Sequence, residues 1–288
     1  MADPRVGKPT PAQVTALGGS YLSESIYANT VFDYLFNEGD GIGGTTVDDI
    51  SGNSLTATSV NTLAADWQDT GLLLAGATAQ SARTSSSALL NLTGDLSVEI
   101  WFKMNTWSSQ QLAFIIAGGT GETEAENICI FVNTGGGASP NINLRYNHEN
   151  GAGVNNLNVF SSALSTGTIY HIAFVRDVSA NTVKMYVDGS FLATYAYTND
   201  PTLTADGILC ISGDVAGDLS GAANRTYYRV HGADRVWSDA EVLELFDDPW
   251  GVFGSLVNRS NEHIAAIRKA KRRICERRHP RNKIKHCT

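Results

Sequence analysis

The chain predicts an all-β fold: an antiparallel β-sandwich of jelly-roll type, with one short C-terminal helix and a basic helical tail. Three observations carry this. Residues 168–198, "TIYHIAFVRDVSANTVKMYVDGSFLATYAYT", read as two successive hairpins. Within them Val183, Met185 and Val187 alternate with Lys184, Tyr186 and Asp188, the period-two pattern of a strand with one apolar face. Asp188-Gly189 is a pair that tolerates positive φ in a tight hairpin turn. Elsewhere, short β-branched and aromatic runs recur between Gly, Asn and Asp clusters, which favours a sandwich over an α/β fold. Finally, 28 glycines against 7 prolines suit many tight turns, and an apolar content of 42% is enough for a real core.

The elements follow in order. Residues 1–20 read as an extended arm, with Pro4, Pro9 and Pro11 and a break at Gly18-Gly19. Residues 21–257 form the sandwich, with strands expected at 31–36, 71–75, 96–104, 112–117, 128–133, 141–147, 157–161, 168–177, 182–188, 191–197, 208–213 and 225–231. In 96–104 the inward set is Leu96, Val98, Ile100, Phe102 and Met104, while Ser97, Glu99, Trp101 and Lys103 face the other way. Ser238 and Glu241 have capping-box spacing, so a helix is expected over about 239–246, ending before Pro249. Residues 258–288 form a basic extension in which Ile264, Ile267, Lys271 and Ile274 make a narrow helical stripe that Pro280 ends.

Four blocks then carry a family resemblance. The hairpin text, a strand ending "HIAFVRD" followed by "VKMYVDG", is similar to the core of laminin-G-like domains. "FDYLFNEGDGIGGTTVDDISGNSLTAT" resembles that family's opening strand, turn and "DxSGN" segment. "LSVEIWFKM" is similar to its Trp-bearing strand, and "YYRVHGADRVWSDAEVLELFDDPW" to its closing strand and helix. In this order the blocks are identified as a concanavalin A-like sandwich. The resemblance implies a domain that binds rather than transforms. The closing "DDPWGVF" is similar to the ends of such domains in bacteriophage structural proteins.

Charge is divided sharply. Residues 258–288 hold 11 Lys+Arg and 2 Asp+Glu, a formal +9, so the whole-chain value of −8 leaves −17 on residues 1–257. An acidic body opposes approach to nucleic acid, so nucleic acid is not the expected partner. Arg268, Lys269, Lys271, Arg272, Arg273, Arg277 and Arg278 are expected to anchor the chain to an acidic surface. That surface would be a further copy of the chain or another virion protein, with the N-terminal arm contributing. No segment has the length and apolarity of a membrane span, and the N-terminus lacks the apolar core of a signal peptide. Assembly in a host cytoplasm into a virion is the expected setting.

Candidate sites are few. The alternating acid string by which laminarinase-like relatives arrange a retaining mechanism is missing. Glu122, Glu124 and Glu126 in "GETEAEN" read as a solvated loop, and no "GxSxG" elbow accompanies His148, His171 or His231. His171, in mid-strand, reads as a satisfied sheet histidine. The chain is therefore expected to be no enzyme and to require no cofactor. Calcium is the one candidate ion, held by Asp48, Asp49 and Asn53 or by Asp214 and Asp218. Cys275, His279, His286 and Cys287 depart from zinc-knuckle spacing. Cys129 and Cys210 read as reduced core thiols. For ligand binding, Trp101, Trp107, Tyr146 and Tyr170 are candidate platforms, with Asn147, Asn141, Asn143 and Asn155 as polar partners. The function expected is a non-catalytic structural or adhesion protein of a phage virion (head decoration, fibre or tail component) that binds host surface glycans. The alternatives are a cellular carbohydrate-binding module and a glycoside hydrolase with an unrecognised site.

Overall fold

The computed structural model describes residues 3–5, 8–10, 13, 25–36, 46–60, 66–68, 71–74, 80–106, 111–118, 127–133, 142–149, 154–161, 164–198, 206–212, 224–250 and 253. They form two eight-stranded antiparallel sheets. The strands are β1 (Thr30–Tyr34), β2 (Thr46–Val47), β3 (Ala57–Val60), β4 (Trp67–Gln68), β5 (Gly71–Leu74), β6 (Ser81–Thr84), β7 (Leu96–Met104) and β8 (Gln111–Gly118). They continue as β9 (Asn127–Asn133), β10 (Ile142–Glu149), β11 (Val154–Ser161), β12 (Ile169–Asp177), β13 (Thr182–Val187), β14 (Ser190–Ala196), β15 (Gly207–Ile211) and β16 (Arg225–Ala233). The first sheet runs β14-β13-β12-β7-β16-β5-β4, with β1 also paired to β16. The second runs β11-β10-β9-β8-β15-β6-β3-β2.

The main core lies between the sheets. Leu96, Val98, Ile100, Phe102 and Met104 of β7 all point into it, with Ile172 and Phe174 from β12, Val183 and Met185 from β13, and Leu209, Ile211 and Ile116 from the second sheet. The alternation expected for β7 is therefore the one observed. Val187, expected to be buried, is only partly so, because it is the last residue of β13 before the turn. That turn has Asp188 at φ 49° and Gly189 at φ 69°, the two left-handed residues such a hairpin needs. A Cβ at Gly189 would also stand 2.8 Å from the Phe246 ring.

The outer face of the first sheet is covered over its middle strands, β7, β12 and β16, while the edge strand β14 is exposed. Helix α1 (Asp239–Asp247) and the segments around it lie across that face. Both halves of the capping box form: Ser238 Oγ accepts from Glu241 N at 3.2 Å, and Ser238 N donates to Glu241 Oε2 at 2.7 Å. The helix buries Val242, Leu245 and Phe246. They meet Ala173, Val175, Tyr186 and Trp101 of the sheet, so both faces of β7 and β12 are covered. The arm, expected to reach partners, touches the body at its described residues. Pro4 and Pro9 are buried, the Trp250 indole N–H donates to Pro4 O at 2.9 Å, and Lys8 Nζ donates to Phe36 O.

Candidate functional site

Pairing register aligns a set of polar residues across the second sheet. In the second sheet, Leu209 and Ile211 enter the main core, so Cys210 between them lies on the opposite, outer face. Its row runs Arg83, Cys210, Ile115, Cys129, Asn147, Asn156 across six strands. Residues directly opposite in a ladder share a face, so two neighbouring rungs fall on the outer face as well. One is Phe131, Arg145 and Asn158; the other is Asn133, Asn143 and Phe160. By register the three rungs align the positions of five asparagines, one arginine and two phenylalanines over β9–β11. Cys210 is buried and in no disulfide, so this row runs from a covered centre at β15 to the edge strand β11. The intervening rungs, Val132–Leu144–Val159 and Ile130–Tyr146–Leu157, belong to the core-side face with Ile116.

This arrangement sorts the candidate ligand residues. Asn147 and Asn143 share the outer face. Tyr146 and Asn155 do not, because each is one residue out of step with that row and the period is two. Trp101 is 1% exposed and stacks on Phe246 with ring centroids 5.7 Å apart, so it supports α1 and offers no platform. Tyr170 packs in the main core, and its hydroxyl accepts from Ser165 N. Trp107 and Asn141 lie outside the described residues.

Both Asp49 carboxylate oxygens are already occupied: Oδ1 accepts from Asp33 N and Ser51 N, Oδ2 from Ser51 Oγ and Leu55 N. Asn53 Nδ2 donates to the carbonyls of Thr30 and Val31. The "DxSGN" string therefore braces a turn against β1, as an Asx-type motif does. Asp48 is exposed beside it. Among the described residues no group of three or more His, Cys, Asp or Glu is placed to hold a metal. Asp214, Asp218 and the tail cations Arg268 to Arg278 lie outside the described residues.

A second polar assembly sits beneath α1. Asp33 of β1 takes two hydrogen bonds from Arg229 of β16, Nε to Oδ1 at 3.0 Å and NH2 to Oδ2 at 2.8 Å. The same guanidinium lies 3.4 Å from Glu99 of β7. Glu99 also meets His171 Nε2 at 2.9 Å and His231 Nδ1 at 3.2 Å. All five side chains are fully buried. Burial alone would raise the Glu99 carboxyl. The Arg229 guanidinium and the two imidazole hydrogen bonds outweigh it and hold Glu99 far below the usual carboxylate range. Burial would also ease the proton off Arg229, but Asp33 and Glu99 keep it firmly cationic. Burial pushes the Tyr27 hydroxyl, which accepts from Arg229, strongly upward. Tyr27 and Trp250 flank the guanidinium, each ring centre just over 5 Å from it.

This cluster is a buried ion-pair and hydrogen-bond network within the first sheet. It was not anticipated, although a signal existed: the apolar strands "VFDYLF", "SVEIWF" and "YYRVHG" each carry charge or imidazole on one alternating face.

Two antiparallel sheets packed over one core make the fold a lectin/glucanase-like β-sandwich. A family model described as the concanavalin A-like lectin/glucanases superfamily, of laminin-G type, matches residues 74–241. That is more than half of the chain, which belongs to this superfamily. No curated protein matches the sequence significantly. Among solved structures, Trypanosoma rangeli sialidase in complex with sialic acid is similar at 14% identity and TM-score 0.57, over 78% of this chain and 34% of that one. The binding domain of botulinum neurotoxin serotype D is similar at 11% identity and TM-score 0.55, over 76% and 51%. Domain 4 of AbnA, an extracellular arabinanase from Geobacillus stearothermophilus, in complex with arabinotriose, gives 15% identity and TM-score 0.50, over 75% and 98%. The chain thus spans about a third of the sialidase and half of the toxin domain, and the shared property is the fold. Among the described residues no helix is long and apolar enough to cross a membrane.

Proposed function

We propose that this protein is a non-catalytic adhesion module that binds glycans on the outer face of β9–β11 and is displayed on a phage virion. The observation that carries the glycan reading is the register that gathers Asn143, Asn147, Asn156, Asn158 and Arg145 beside Phe131 and Phe160. Amide groups supply both donors and acceptors to sugar hydroxyls, and aromatic faces suit the apolar side of a pyranose. Membership of a lectin/glucanase superfamily supports it, as does an arabinanase domain of similar fold solved with a bound trisaccharide. The non-catalytic reading is supported by the cluster around Glu99, whose carboxylates are sealed under α1 and held by cations.

A glycan array followed by affinity measurement tests this reading. Arg145→Ala or Asn147→Ala should weaken binding about tenfold, or about 1.4 kcal/mol, the loss of one charge-assisted or two neutral hydrogen bonds. Incubation with the bound polysaccharide should release no reducing sugar. Turnover abolished by a single carboxylate substitution would make the chain a glycoside hydrolase instead.

The virion setting rests on the "DDPWGVF" resemblance and on the basic tail beside an acidic body. Deleting residues 259–288 should leave the sandwich folded but prevent incorporation into particles, as read by mass spectrometry of purified virions. Salt should weaken the attachment, since exposed charge contacts are screened beyond about 8 Å at physiological ionic strength. Normal incorporation of the truncated chain would remove the anchoring role.

A further inference from the structure

We propose that the exposed flank of α1 is the seat of the chain's own basic tail, with the isoleucine stripe of residues 264–274 laid into the crease between α1 and the edge strand β14. Two exposed apolar side chains wall that crease. Asp239 and Phe246 both reach the β13–β14 hairpin: Asp239 Oδ1 accepts from Lys184 Nζ at 2.8 Å and from the Tyr186 hydroxyl at 2.7 Å, and Phe246 packs beside Gly189. Leu243 lies one turn from each on the same flank of the helix, yet it is 46% exposed. Towards the sheet edge, Phe191 pairs in register with Tyr186, sets its ring edge-on to that of Tyr186 at 5.9 Å, and is 52% exposed. Tyr186 itself is buried and floors the crease.

Charge around Leu243 is one-sided. α1 carries Asp239, Glu241, Glu244 and Asp247 with no basic residue, and Asp248 caps its C-terminus. Asp239 is paired with Lys184, and Glu241 with Arg235. Glu244, Asp247 and Asp248 are exposed, and no cation among the described residues pairs with them. They crowd the last turn, where the helix dipole already presents its negative end and acids are misplaced. A cationic partner laid over that turn removes the conflict.

The tail has both features such a partner needs. Ile264, Ile267 and Ile274 share a helical stripe, and Lys269, Lys271 and Arg272 lie within it or beside it. From Ile264 to Ile274 a helix rises about 15 Å, and the nine residues of α1 span about 14 Å, so the lengths match. Reach decides whose tail it is. The last described residue, Phe253, packs on Trp250 with ring centroids 6.2 Å apart, in the same apolar cluster as Val242 and Leu245 of α1. Residues 254–263 can extend to about 33 Å, more than the length of α1. A short tether of this kind gives an effective concentration on the order of millimolar, so the chain's own tail reaches the crease ahead of another copy's. Only the consequence rests on the reading of residues 258–288 as an anchor: attachment elsewhere must first lift the tail off α1.

Carbodiimide coupling of the full chain, read by mass spectrometry, tests the seat, because it joins only carboxylates and amines already in contact. Lys269 and Lys271 should couple to Glu244, Asp247 or Asp248. In a mixture of nitrogen-15-labelled and unlabelled chains, each coupled pair should carry a single isotope. Leu243→Ser and Ile267→Ser leave every charge in place, and each should lower that coupling about fivefold through lost apolar burial. Amide hydrogen exchange checks that α1 is kept in the Leu243→Ser chain; if α1 loosens there, Ile267→Ser decides. Coupling spread over acids of the whole body, or unmoved by Ile267→Ser, overturns the proposal. So do pairs of mixed isotope, which would seat the tail on a second copy. The anchoring test is separate: normal incorporation of the truncated chain removes the anchor and leaves these couplings as they are.

Discussion

Glu99→Gln will destabilise the folded domain by about 3–5 kcal/mol, the usual cost of removing one partner from a buried ion cluster. The substitution keeps shape and removes charge. Arg229 retains Asp33, but the carboxylate that accepts from both imidazoles is gone. A pH dependence accompanies it. Glu99 has a folded-state affinity for protons far below its ordinary value of 4.5. Its contribution to stability is therefore complete above that value and is lost as pH falls below it. Denaturant unfolding at a series of pH values should show wild type weakening on acidification and the variant weakening much less steeply. A variant within about 1 kcal/mol of wild type at neutral pH would show that the cluster is dispensable.

Phe102→Ala should cost about 3–5 kcal/mol as well, through lost apolar burial and the cavity left behind. Phe102 is fully buried in the inter-sheet core, with Tyr170 and Tyr227 as its register neighbours and the Tyr227 ring centroid 6.5 Å away. Little collapse is possible there, because both flanking strands are held by the rest of the ladder. A loss below about 1 kcal/mol would mean that β7 presents its other face to the core, since a one-residue slip exchanges the two sets completely.

Where local chemistry decides, the fold was legible in the chain. The two hairpins at 168–198, the positive-φ turn at Asp188-Gly189, the capping box at Ser238 and the polarity of β7 all follow from contacts between residues close in sequence. The strands that escaped notice, β2, β3, β4 and β6, have two to four residues, too few to show a period. Trp101 illustrates another limit. Alternation correctly turned it away from the main core, but could not show that α1 roofs that second face.

The candidate site was legible only in fragments, because its residues come together through long-range pairing. Asn143 and Asn147 are odd-numbered on β10, whereas Asn156 and Asn158 are even-numbered on β11, and only the register places them on one face of the ladder. The same holds beneath α1, where Asp33, Glu99, His171, Arg229 and His231 come from four strands. Asp49 and Asn53 show the converse. Oxygen-rich spacing suggested an ion, but their oxygens and amides already brace the chain beside β1.

Hydrogen exchange with and without a saturating oligosaccharide chosen from the array tests the central claim most directly. Ligand seated on the outer face should slow exchange of amides in β10 and β11, residues 142–149 and 154–161, and leave α1 unchanged. Protection confined to other segments, or accompanied by cleavage of the oligosaccharide, would contradict a non-catalytic glycan site on β9–β11.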